Sequence, residues 1–234
     1  VSDDDLLAEQ VAYYRARAGE YDRWFLRQGR FDRGSEATAR WFAEVDEVRA
    51  VLAGVPIDDL DVLELAPGTG IWTEDLVRRA AHLTAVDAST EMLDRCRHRL
   101  GPAAAAVEFV LADLFDWSPA RTWDAVVFCF WISHVPDELL DGFLAGVAAM
   151  LRPGGAVFFL DGAREPTSTA ADHVLPDADE QVMLRRLEDG REFRIVKNFW
   201  PPAELEARCR AAGLDIAVGR TATYFQHGVG RRAG

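Results

Sequence analysis

The chain has 234 residues, enough for one α/β domain with a full core and short for two independent ones. Acidic residues outnumber basic ones by 39 to 26, so on balance the surface repels phosphate backbones and nucleic acid is not an expected partner. Cys96, Cys129 and Cys209 are widely spaced, with no CxxC pair and no His/Cys cluster suited to zinc, so no metal site is expected and a reduced cytoplasm suits them. The opening "VSDDDLLAEQ" lacks the basic-then-apolar pattern of a secretory leader, and no apolar run approaches the roughly 18 residues of a membrane span.

Residues 3–53 carry apolar residues at mostly helical spacing: Leu6, Leu7, Val11 and Tyr14, then Tyr21, Trp24 and Phe25, then Trp41, Phe42, Val45, Val48 and Val51. Gly19, Gly29 and Gly34 punctuate them, which predicts two or three short helices forming a cover over one end of a sheet. From residue 60 strand and helix signals alternate. The strands are "DVLELA" (61–66), "LTAVDA" (83–88), "VEFVLAD" (107–113), "DAVVFCF" (124–130) and "GAVFFLDG" (155–162), with helices at about 71–80, 89–100 and 136–151. That rhythm belongs to a parallel sheet covered on both faces.

After Asp161 comes a loop of nearly twenty residues, and loops that long inside a compact domain are often functional. Asp189-Gly190 then suggests a hairpin turn, "PPAELEARCRAAG" (201–213) a helix with a proline start and a glycine stop, and the tail one or two further strands. The expected organisation is a helical cover over 1–56 and a core over 57–234, with the long loop and hairpin at about 163–200.

The turn "ELAPGTG" (64–70) holds the chemistry. A phosphate-binding P-loop needs Lys and Ser or Thr after its last glycine, and here Ile71 and Trp72 follow Gly70. The dinucleotide fingerprint needs a third glycine where this chain has Thr73, which weakens that reading without removing it. Glycines at the turn let a ligand approach the backbone, while Glu64 is awkward beside a pyrophosphate and comfortable near a cation. The ligand should carry positive charge.

On these residues the chain resembles the class I S-adenosylmethionine-dependent methyltransferases, whose motifs follow in order over roughly 60–162. The resemblance implies a doubly wound, mostly parallel seven-stranded sheet with its last pair antiparallel, and S-adenosylmethionine crossing the carboxyl ends of strands one to four. Within it, Asp87 matches the acid that holds the ribose hydroxyls, and Asp113 the acid that contacts the adenine amino group, with Leu114 beside the ring. Glu64, Ala66, Gly68, Thr69 and Gly70 form the turn, Ala88 and Met92 open the next helix, and the backbone at Phe130 and Trp131 faces the methionine part. Ala66 and Pro67 replace a glycine and a cysteine often found in the family, a departure that alters loop stiffness more than chemistry. Trp72 either packs its helix or borders the cofactor; Tyr14 and Tyr21 on the cover are candidates to face the sulfonium.

For the methyl acceptor, an O, N or C atom of a small molecule, the candidate catalytic groups are His134 after the fourth strand, His173 in the long loop and Asp161 at the end of the fifth strand. Trp24, Phe25, Trp131, Phe199, Trp200 and Tyr224 are candidates for an apolar acceptor pocket. The Pro-Cys and Asp/Asn-Pro-Pro-aromatic motifs of enzymes acting on bases or planar amides are missing. Two rivals stand beside this reading: an NAD(P)-dependent oxidoreductase, against which Thr73 and the lack of a Tyr-xxx-Lys pair count, and a non-catalytic scaffold that keeps the cofactor fold. An Arg- and Ala-rich composition with a single lysine, Lys197, is associated with high-GC bacteria and with secondary metabolism; oligomeric state is left open.

Overall fold

A computed structural model describes residues 3–177 and 179–234, with side chains described from residue 5 onward. Seven strands form one sheet in the order β3-β2-β1-β4-β5-β9-β8: β1 (Asp61–Leu65), β2 (His82–Asp87), β3 (Val107–Leu111), β4 (Trp123–Cys129), β5 (Leu151–Gly162), β8 (Leu214–Arg220) and β9 (Phe225–Arg232). The pairs β3-β2-β1-β4-β5 are parallel, and β9 runs antiparallel between β5 and β8. The expected doubly wound sheet with an antiparallel last pair is present.

Alternation along the central strands sorts residues to two cores. Leu63, Leu65, Val126, Phe128, Val157 and Phe159 face α6 (Asp137–Met150) and α7 (Pro202–Ala211). Val62, Ala125, Val127, Ala156, Phe158 and Leu160 face the other side, where α3 (Ser35–Ala53) lays down Trp41, Val45, Val48 and Leu52. Those four recur at a spacing of four, three and four residues, one stripe of a helix. So α3 packs on the face of the sheet and shares its core, and only α1 (Asp3–Arg17) and α2 (Tyr21–Phe25) cover its end.

Two expected boundaries differ. The helix over 71–80 is a single regular turn, α4 (Thr73–Leu76), followed by a tighter turn in which Leu76 C=O accepts from both Arg79 N–H at 3.0 Å and Ala80 N–H at 2.9 Å. Strand β5 starts at Leu151 because Trp123 pairs with Leu151 and Ala125 with Ala156, leaving "RPGG" bulged between them. The helix α5 (Thr90–Leu100) begins where Ser89 Oγ accepts from Met92 N–H at 3.2 Å.

The predicted hairpin is β6 (Val182–Arg186) paired antiparallel with β7 (Glu192–Val196), outside the main sheet. It packs against α1 through a small core of its own, in which Tyr13, Met183, Leu187 and Ile195 are buried. Glu9 on α1 pairs with Arg194 at 2.6 Å, and buried Gln10 bridges Val196 N–H and His134 C=O at 3.0 Å each. Cover and hairpin therefore stand as one unit over the carboxyl ends of the strands.

Gly228 on β9 lies opposite Phe159, and a Cβ there would come 2.1 Å from the ring. Gly228→Ala should lower unfolding free energy by about 1–3 kcal/mol through overpacking. Gly142→Ala, on the exposed face of α6 with open space around it, should raise it by about 0.5–1 kcal/mol. Urea unfolding of both variants checks the opposite signs.

Candidate active site

Strand order reverses between β1 and β4, whose neighbours lie on opposite sides, and the carboxyl ends of these two strands open the crevice that such a switch creates. Ala66, just past β1, and Phe130, just past β4, both hold left-handed backbone, with φ of 52° and 57°. Side chains rarely adopt it, and it persists where the surroundings impose it. Here the turned-back amides are paired: Ala66 N–H donates to Val86 C=O at 2.8 Å and Phe130 N–H to Leu160 C=O at 2.6 Å.

A chamber of about 720 Å³ follows from this arrangement. Its floor is Ala66, Gly68, Asp87, Ala88, Met92, Phe130 and Trp131; Asp113 and Leu114 form one rim; Tyr14 and Tyr21 close it from the cover. Asp87 accepts from Gly68 N–H at 3.2 Å and Ser89 N–H at 2.9 Å, tying the glycine turn to β2. Burial raises its carboxyl to about 6 against the pull of those amides. Asp113 caps the turn after β3 by accepting from Phe115 N–H at 3.0 Å, and still lines the rim.

Four of the sequence-derived cofactor residues lie outside that wall. Glu64 is buried beneath it, with one carboxylate oxygen lacking a hydrogen-bond partner, and burial lifts its carboxyl to about 8. Gly70 serves packing: a Cβ there would sit 2.7 Å from the Cys96 sulfur, and its φ is 85°. Thr69 turns toward the cover, and Trp72 packs between Phe25 and Phe130 beside a minor cleft. Leu7, Gln10 and Val11 on α1, with Ser89, Phe115 and Cys129, complete the chamber and were missed. The helical spacing of the α1 residues was visible, but nothing local marks which face meets a ligand.

A second, inner chamber of about 570 Å³ shares Tyr14, Tyr21 and Phe130 with the first. His134 lines it. Its Nδ1 lies 2.7 Å from Val196 C=O and so carries the proton, which leaves Nε2 to accept from the Tyr14 hydroxyl at 2.8 Å. Burial, with the Lys197 cation nearby, pushes His134 down to about 3, and burial raises the Tyr14 phenol well above its ordinary value. Both are neutral at pH 7.

Asp161 does not line either chamber. Fully buried, it accepts from Ser133 N–H at 2.9 Å and Lys197 Nζ at 3.2 Å, and although burial opposes its charge, Lys197 and the other neighbours hold its carboxyl below the ordinary range. His173 likewise stands behind the chamber wall, its Nε2 accepting from Arg186 N–H at 3.0 Å and its Nδ1 lying 3.1 Å from Arg185. Burial and the cations of Arg185 and Arg30 push it to about 3. Of the aromatic candidates, Trp24, Phe199 and Tyr224 reach the inner chamber, Trp131 lines the outer one, Phe25 borders the minor cleft, and Trp200 reaches none of the three. Arg17, Arg185 and Lys197 also line the inner chamber and were missed, because they come from α1, β6 and the segment after β7.

A methyltransferase-domain family model matches residues 62–155. A solved structure of DhpI with SAM and HEP is 39% identical, with a TM-score of 0.78 over 99% of this chain and 100% of that one; DhpI with SAH gives 37% and 0.77. The chain belongs to the S-adenosylmethionine-dependent methyltransferases. The ubiquinone biosynthesis O-methyltransferase of Xylella fastidiosa is 31% identical over 69% of this chain, and the match spans 63% of that protein's length. That of Aromatoleum aromaticum is 28% identical over 78% of this chain and 80% of its own. The nicotinamide and scaffold alternatives find no support in these comparisons. Among the described residues, no helix of this methyltransferase is long and apolar enough to cross a membrane.

The outer chamber fits the family's cofactor on its own terms. It offers a glycine turn open to close approach, a strand-end carboxylate at Asp87 and apolar walls at Leu114 and Met92. The buried acid at Glu64, with its unpartnered oxygen, lies under the same turn.

Glu64 also makes stability pH-dependent. Its folded value of about 8 exceeds the ordinary 4.5, so the folded protein binds the proton more tightly and this contribution is lost as pH rises toward 8. His134 and His173 act in the opposite sense, but only below their ordinary value of 6.5. In ligand-free protein, Glu64→Gln should remove the fall in melting temperature between pH 6.5 and 8, a gain of roughly 2–4 °C at pH 8 for about 1 kcal/mol. Thermal melts of both proteins across that range check it.

Proposed function

We propose that this methyltransferase methylates an oxygen of a small acceptor that carries an oxyanion (a carboxylate, phosphate or phosphonate) bound in the inner chamber. The observation that carries this reading is the charge around that chamber. Arg17, Arg185 and Lys197 line it, each less than 9% exposed, and among the described residues none of the lining side chains is acidic. Asp161, behind Lys197, offsets one of the three charges. Arg17 rests on the faces of Tyr21 at 4.7 Å and Trp24 at 5.9 Å, while Arg185 donates to Thr169. A guanidinium does not discharge in a protein, and an uncompensated buried charge costs roughly several kcal/mol. An anionic ligand offsets that cost, so the chamber favours one. Oxygen is the atom named in the O-methyltransferase relatives, and DhpI is solved as a complex with SAM and HEP.

When bound, S-adenosylmethionine supplies a methyl group already activated on a sulfonium. What this chain's residues contribute is binding, alignment and exclusion of water. Arg17 and Arg185 anchor the acceptor, with Lys197 held in place by Asp161 and Ser133, whose Oγ lies 2.6 Å from Nζ. Tyr14 stands at the boundary of the chambers with its proton committed to His134, so its oxygen offers only lone pairs to whatever lies there. An oxyanion oxygen has no proton to lose, which agrees with a His134 that is neutral and already occupied at Nε2. In this reading His134 orients Tyr14, and Thr169, whose hydroxyl accepts from Arg185, orients that guanidinium.

The test is turnover with S-adenosylmethionine across a panel of small carboxylates, phosphonates and phosphate esters set against uncharged alcohols and phenols. Oxyanions should be methylated, and Arg185→Gln or Arg17→Gln should raise their KM about 10- to 100-fold, the loss of one charged hydrogen-bonding partner, with affinity for S-adenosylhomocysteine unchanged. Turnover of uncharged acceptors with no effect of oxyanions, either as substrates or as competitors, would overturn the reading.

A further inference from the structure

Asp22 on α2 faces neither ligand chamber, yet it holds two elements that do. Its Oδ1 accepts from Thr69 Oγ at 2.6 Å and its Oδ2 from Arg99 Nη2 at 2.5 Å. Arg99, at the end of α5, closes the triangle by donating Nε–H to Thr69 C=O at 2.7 Å. The glycine turn is thus tied to one carboxylate on the cover directly through the Thr69 side chain and, through Arg99, by the Thr69 backbone. The five-residue α2 is far too short to hold its shape alone, so its place depends on contacts outside it: these bonds, the Trp24 indole N–H to Ser168 C=O bond at 2.8 Å, the Trp41 indole N–H to Phe25 C=O bond at 3.0 Å, the burial of Phe25 and the Arg23–Glu188 pair. The same short helix carries Tyr21, which walls both chambers, and Trp24, which walls the inner one.

We infer that Asp22 is a positioning residue that couples the cofactor turn to the cover. Ordering of the turn by cofactor fixes Thr69, Thr69 and Arg99 fix Asp22, and Asp22 seats Tyr21 and Trp24 against the acceptor. The coupling is reciprocal: loosening α2 must loosen the turn and weaken cofactor binding by the same free energy. The partners are charge-assisted hydrogen bonds less than half exposed to solvent, with side-chain exposures of 38% for Asp22 and 25% for Arg99, so they retain strength that a fully exposed pair loses. The inference rests on the two-chamber reading for its acceptor side and on the turn geometry alone for its cofactor side.

Hydrogen exchange with mass spectrometry on the ligand-free protein, together with calorimetric titration of S-adenosylhomocysteine, tests it. In Asp22→Ala, exchange should rise both in residues 20–28 and in residues 66–72 while α6 is unchanged, and the dissociation constant should rise roughly tenfold. Asp22→Asn, which keeps oxygen for Thr69 and loses the charge, should fall between, and Thr69→Val should reproduce the effect from the other side. If Asp22→Ala speeds exchange only in 20–28, with the turn and the affinity untouched, Asp22 is a local anchor and the coupling is refuted. Failure of the wild-type protein to bind S-adenosylhomocysteine would count against the cofactor chamber, while the ligand-free exchange pattern would still decide the coupling.

Discussion

The reversal of strand order between β1 and β4 is the constraint from which the site follows. Parallel strands that diverge to opposite sides leave a gap at their carboxyl ends that no side chain of the sheet can fill. Ala66 and Phe130, the residues that step off those two strands, take up left-handed backbone and fold back to pair with β2 and β5. That choice keeps the rim of the sheet hydrogen-bonded while clearing a floor for a ligand. Chamber walls, cover and hairpin are arranged around this gap.

Much of the outer chamber's lining was legible because it is local. Glu64 to Gly70, Asp87 to Met92, Asp113 with Leu114, and Phe130 with Trp131 each lie at or just past the end of a strand marked by its own apolar run. What could not be read is depth. Glu64, Thr69, Gly70 and Trp72 belong to the right turn and yet face packing, since alternation along a strand and the twist of a tight turn decide between ligand and core. The fold itself was legible down to the antiparallel last pair. Boundaries slipped where irregular backbone intervenes, at α4 and at the bulge before β5.

The inner chamber was illegible for a different reason. Its cations stand at positions 17, 185 and 197, and each sits in a segment whose local pattern is ordinary. Only the docking of the hairpin on α1 brings them together, and that docking is set by a few apolar side chains, Tyr13, Met183, Leu187 and Ile195. His134, His173 and Asp161 were visible as strand-end and loop residues. Their roles depend on neighbours that sequence does not order: Val196 C=O for the tautomer of His134, Lys197 for Asp161, Arg185 for His173. The lining that the sheet gives the outer chamber thus comes from its first half, and the cations of the inner chamber come from segments before and after it.

Lys197 is the chain's only lysine, and it lies almost wholly inside the fold with burial depressing its ammonium. The outer surface therefore presents guanidinium groups but no side-chain amine. Along this sequence an amine-directed reagent meets a single side-chain amine, and that one lines a cationic cavity. Acylation there would be a gate on entry to that cavity, and the adduct, found on a single peptide, would report which small molecules travel that far.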